Sequence, residues 1–61
     1  MDFEILNGGS VFLLIPNTEA AQAWVEEHIP EDAPTLGRGI GVEARYLGNI
    51  LQGIKDDGLT F

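Results

Sequence analysis

Sixty-one residues without a cysteine, carrying ten acidic and three basic side chains for a net charge of −7, set narrow bounds on this chain. That length allows one domain, residues 1–61, burying only about 60% of its unfolded surface, and no disulfide or thiolate zinc site can reinforce it. The acidic balance repels nucleic acid and anionic membrane surfaces. The longest apolar run, Val11 to Ile15, is too short to cross a bilayer, and no basic start precedes a signal-like segment, so the expected location is the cytoplasm.

The first fifteen residues read as a hairpin. Phe3 and Ile5 share one face of the opening strand, Asn7-Gly8-Gly9-Ser10 supplies the turn, and VFLLI follows. This second strand is apolar on both faces, Val11, Leu13 and Ile15 pointing one way and Phe12 and Leu14 the other. Pro16 ends the ladder because it has no N–H to donate.

Asn17 and Thr18 are capping residues, and a helix is expected to begin at about residue 19, where Glu19 meets the favourable end of the macrodipole. Ala20, Ala21, Trp24, Val25 and Ile29 form its apolar stripe, and Pro30 stops it near His28 or Ile29. Residues 30–37 read as a loop. A third strand follows at 38–43, with Ile40 and Val42 on one face and Gly39 and Gly41 on the other; two glycines at that spacing predict a close approach. The second helix is expected over about 44–57, with Tyr46, Leu47, Ile50, Leu51 and Ile54 as its stripe. Gly58 follows as the residue that closes a Schellman motif and brings Leu59 onto Ile54. Thr60 and Phe61 are candidates for a short terminal strand.

The expected fold class is therefore α+β, in the order ββαβα: a three-stranded sheet with two helices packed on one face. Counting chain reversals makes those helices parallel. The third strand fits equally beside the second, in parallel, or beside the first, antiparallel.

Gly9, Ser10, Pro16, Thr18, Ala21, Trp24, Val42, Glu43, Arg45, Tyr46 and Gly58 carry a likeness spanning residues 8 to 59. The chain resembles a group of short uncharacterised bacterial and phage-borne proteins. The resemblance implies this architecture and no activity.

Catalytic and cofactor chemistry find little support. Glu26, Glu27, His28, Glu31 and Asp32 form an oxygen-rich cluster, but Pro30 interrupts its spacing and no EF-hand pattern is present. His28, the only histidine, would need a positioned hydroxyl, and Ser10 and Thr18 are accounted for by a turn and a cap. Gly39 and Gly41 lie within a strand and Gly37 just before it, rather than between a strand and a helix, where a phosphate cradle belongs. Trp24 and Tyr46 fit the core, with an interface anchor as the alternative for either, and Arg45 is placed to pair with Glu43 or with a partner's carboxylate. No cofactor or metal is expected.

Two functions fit these residues. The first is a non-catalytic protein–protein interaction domain that forms a homodimer through the uncovered sheet face, with Phe12, Leu14, Gly39 and Gly41 as contact residues. The alternative is an acidic inhibitor or antitoxin-like regulator docking on a basic protein. Its contact residues are Glu26 and Glu27 in the last turn of the first helix and Asp56 and Asp57 in that of the second, where anions oppose the macrodipole. Parallel helices would gather these acids at one pole.

Overall fold

A computed structural model describes all residues from Met1 to Phe61. The chain forms β1 (Phe3–Asn7), β2 (Val11–Pro16), α1 (Glu19–His28), β3 (Thr35–Leu36), β4 (Gly39–Glu43) and α2 (Ala44–Asp56). The class is α+β, but the sheet has four strands in the order β1-β2-β4-β3, every neighbouring pair antiparallel. No helix is long and apolar enough to cross a membrane.

The extra strand arises inside the segment expected to be a loop. Leu36 pairs with Gly39 across Gly37-Arg38, and Gly37 has φ +61°. A two-residue connection with glycine first is the chemistry of a tight hairpin, so residues 35–43 fold back on themselves. That additional reversal overturns both pairings expected for the third strand: β4 lies beside β2 and runs antiparallel to it, with Phe12 opposite Val42 and Leu14 opposite Ile40.

The helix directions change with it. α1 and α2 follow antiparallel strands, so they run in opposite senses rather than in parallel. The contacts agree: Tyr46 at the start of α2 shares a groove with Ile29 at the end of α1, a Cβ placed on Gly53 would sit 3.2 Å from the Trp24 ring, and the segment after α2 returns to the start of α1 through Asp2, which accepts from the hydroxyls of both Thr18 and Thr60.

Local signals do hold at the helix ends. Thr18 Oγ1 accepts the Ala21 N–H at 3.1 Å, capping α1. Gly58, at φ +81°, closes α2: its N–H donates to Lys55 and the Leu59 N–H to Ile54, the paired bonds of a Schellman motif. Thr60 joins no strand, although its carbonyl accepts the Phe3 N–H at 3.0 Å on the outer edge of β1.

The core lies between the helices and one sheet face, and consists of Phe3, Leu14, Ala21, Trp24, Ile40, Val42 and Ile54. Phe3 and Trp24 meet edge to face with centroids 6.0 Å apart, an arrangement favoured by their ring quadrupoles. Leu47, Ile50 and Leu51 pack against this cluster, but Tyr46 is half exposed and leaves the stripe assigned to it.

Candidate functional site

The register decides which side of the doubly apolar strand faces outward. Cross-strand partners share a face, so Phe12 and Leu14 lie with Ile5, Ile40 and Val42 beneath the helices, and Leu14 is wholly buried. The expectation that Leu14 meets a partner is corrected on this point, whereas Phe12 is half-buried, stands outside the core cluster and borders a depression with Leu6 and Leu36. Both Phe12 and Leu14 stand on the opposite side of the sheet from Gly39 and Gly41.

The open face carries Leu6 from β1, Val11, Leu13 and Ile15 from β2, and Leu36 from β3. Leu6, Val11 and Leu36 are exposed by 53%, 39% and 68%, which makes the apolar strip continuous from one sheet edge to the other. β4 contributes no side chain between Leu13 and Leu36, because Gly39 and Gly41 stand there; its third open-face residue is Glu43, opposite Val11, and Glu4 of β1 lies on the same face opposite Ile15. The close approach predicted for these glycines comes from the chain itself. A Cβ on Gly39 would collide with Leu13 Cγ, and one on Gly41 would lie 3.4 Å from Val11 Cγ1. Leu13 and Val11 therefore lean over β4, leaving a shallow depression of about 330 Å³ bordered by Leu6 and Leu36.

Of the acids expected to form one docking pole, the two aspartates are engaged within the chain. The end of α2 meets the second half of α1, and both aspartates there have partners: Asp56 accepts from Gln52 Nε2 at 2.9 Å, and Asp57 from Trp24 Nε1 at 2.7 Å. Glu26, Glu27, Glu31 and Asp32 remain exposed around the end of α1.

Asp57 completes a small cluster that spacing alone did not reveal. His28 stacks on Trp24 with centroids 4.2 Å apart, its Nδ1–H donates to the Trp24 carbonyl at 2.9 Å, and its Nε2 lies 3.7 Å from Asp57. Neither Ser10 nor Thr18 is brought to this imidazole: Ser10 is an exposed turn residue, and the Thr18 hydroxyl donates to Asp2 Oδ1 at 2.8 Å. The cluster fastens α1 to the end of α2 and presents no nucleophile. Arg45 pairs with Glu43 at 3.1 Å, and its guanidinium lies 4.9 Å over the Tyr46 ring.

A second concavity runs between the end of α1 and the start of α2. Its volume is about 260 Å³, with Ile29, Ala33 and Pro34 on one wall, Tyr46 and Ile50 on the other, and Val42 beneath. The half-exposed Tyr46 is the residue that sequence reasoning placed wrongly here. It directly precedes Leu47 on the helix and carries a hydroxyl that favours a wet boundary, a signal for the edge of the apolar stripe rather than its centre.

No family model, curated protein or solved structure matches this chain. Fold and surface are therefore the grounds for a functional reading.

Proposed function

We propose that this chain is a small, non-catalytic, cytoplasmic interaction module that pairs with a second copy of itself through the open face of its sheet. The observation that carries the reading is the apolar strip of Leu6, Val11, Leu13, Ile15 and Leu36, drawn from three strands and crossing the glycines of β4, with Glu4 and Glu43 on the same face, while the helices cover only the other side. A contiguous exposed apolar surface on a small protein is the usual mark of an interface.

The size of the face fits a modest dimer. Strands of five, six, two and five residues, about 4.8 Å apart with a rise of about 3.4 Å per residue, span roughly 300 Å² in projection. Side-chain relief enlarges the area removed from water, yet it stays below the ~800 Å² per partner of standard stable interfaces. Two such faces pack with their sheets about 10 Å apart, and a twofold axis lets one self-complementary patch serve both copies. A weak, reversible association is the class of interface that such an area fits.

Sedimentation equilibrium across micromolar concentrations tests this, with a reversible monomer–dimer equilibrium expected. Leu36→Lys and Leu6→Lys each put a charge into the strip without touching the core, and each is expected to leave a folded monomer. A strictly monomeric parent protein would remove the proposal, as would dimerisation unchanged in both variants.

A further inference from the structure

We infer that the groove between the end of α1 and the start of α2 receives an apolar side chain from a basic segment of a partner protein, independently of the sheet face. Size is the first argument. A cavity of ~150 Å³ holds one benzene, and drug-sized ligands need roughly 300–1,000 Å³. The groove, at about 260 Å³, suits one large side chain, walled by Ile29 and Ala33 against Tyr46 and Ile50.

Charge is the second. The groove continues over Ile29, Pro30 and Ala33 into a depression bordered by Glu26 and Glu31. Glu27 and Asp32 adjoin these in sequence, and all four acids are exposed. The chain's ion pairs are His28–Asp57 and Arg45–Glu43, so none of the four carboxylates is held in an ion pair, although Arg38 shares a neighbouring depression with Glu26. Arg45, on the far side of the groove, is held by Glu43. The backbone adds to this field. Pro30 has no N–H to give the Glu26 carbonyl, so α1 ends without the closure that Gly58 and Leu59 provide for α2.

Folding gains nothing from that placement, since anions at a helix C-terminus oppose the macrodipole. A lysine or arginine beside an inserted leucine-like side chain would meet both the carboxylates and the open carbonyls. The groove would bury the apolar part while the rim selects for positive charge, a division of labour common at protein interfaces.

The test uses the full chain labelled with nitrogen-15 and three probes: acetyl-Lys-Leu-Lys-amide, acetyl-Lys-Ala-Lys-amide and acetyl-Glu-Leu-Glu-amide. Saturable amide shifts centred on Ala33, Val42, Tyr46 and Ile50 are expected with the first, weaker shifts with the second and none with the third. Replacing the rim acids together (E26Q, E27Q, E31Q, D32N) is expected to weaken the first peptide by about fivefold or more, a loss of roughly 1 kcal/mol. It leaves the fold intact, since it removes charge repulsion. The inference is overturned by no saturable shift up to roughly 10 mM peptide, a concentration that reports even millimolar affinity. It is equally overturned by equal responses to acidic and basic peptides, by shifts centred on Leu6, Leu13 and Leu36, or by a rim variant that binds as well as its parent.

Discussion

At Gly39 a hydrogen atom stands where any other residue would drive a methyl group into Leu13. Its Cβ would lie 2.7 Å from Leu13 Cδ1, well inside van der Waals contact, so the leucine would have to swing off the sheet. Gly39→Ala is expected to lower stability by about 1–3 kcal/mol, the usual cost of overpacking. Combining it with Leu13→Ala is expected to recover part of that loss, measured as the coupling in a double-mutant cycle by urea denaturation. Additive effects would show that the glycine serves something other than this contact. The glycine pair was legible in the sequence as a sign of close approach. Which group approached was not, because the Leu13 side chain crosses to β4 only in the twisted sheet.

Between elements, Asp2 is the joint. Its Oδ1 accepts from the Thr18 hydroxyl, its Oδ2 accepts from the Thr60 N–H at 3.0 Å and from the Thr60 hydroxyl, and its backbone carbonyl accepts the Asn17 N–H at 2.7 Å. One carboxylate thus links the start of β1, the cap of α1 and the segment after α2. The Thr60 N–H first, then the two hydroxyls, hold its pKa below the usual carboxylate value, because each donor favours the charged form. A carboxylate with a depressed folded pKa stabilises the fold above its unfolded value, and that contribution disappears as pH falls through the lower folded value. Chemical denaturation from pH 6 down to pH 2, a range spanning the ordinary aspartate pKa of about 3.9, is expected to show such a loss below pH 4 in the parent. Asp2→Asn is expected to unfold at lower temperature at neutral pH and to show a shallower acid limb. Matching acid limbs would mean that Asp2 is not the titrating joint. Nothing in the sequence singled out this residue, since its partners lie sixteen and fifty-eight positions away.

For the molecule as a whole, size and charge pull in opposite directions. Only eight of 61 residues are buried, so the lone chain has a small core and a modest margin of stability. Covering the open sheet face would add apolar burial at about 25 cal/mol per Å². Each copy also carries a net charge of −7, which opposes pairing at low ionic strength. Two consequences follow from the proposed dimer. Its melting temperature is expected to rise with protein concentration, because association stabilises only the folded chain. Its dissociation constant is expected to fall as salt is raised from about 0.05 M to about 0.5 M, where the screening length drops well below 10 Å. Sedimentation and calorimetry at both salt levels read these effects, and dimerisation weakened by salt would point to a charged contact instead. Basic-peptide binding in the groove has the opposite salt dependence, which separates the two surfaces in one sample.

Local chemistry was sufficient for the hairpin around Gly8-Gly9, for the cap at Thr18, for the proline that ends α1 and for the closure of α2 at Gly58, since each depends on residues within a few positions of one another. Tertiary structure decided the rest. Thr35 and Leu36 are too few to announce a strand, and they form one only because β4 offers a free edge to pair with. That two-residue strand reverses the chain once more than periodicity implied, turns α2 against α1, and brings Asp57 onto Trp24 and His28 rather than leaving it free. Periodicity showed that residues 11 to 15 have two apolar sides; only the pairing of Leu14 with Ile5 and Ile40 selected the side that the helices cover and the side left open.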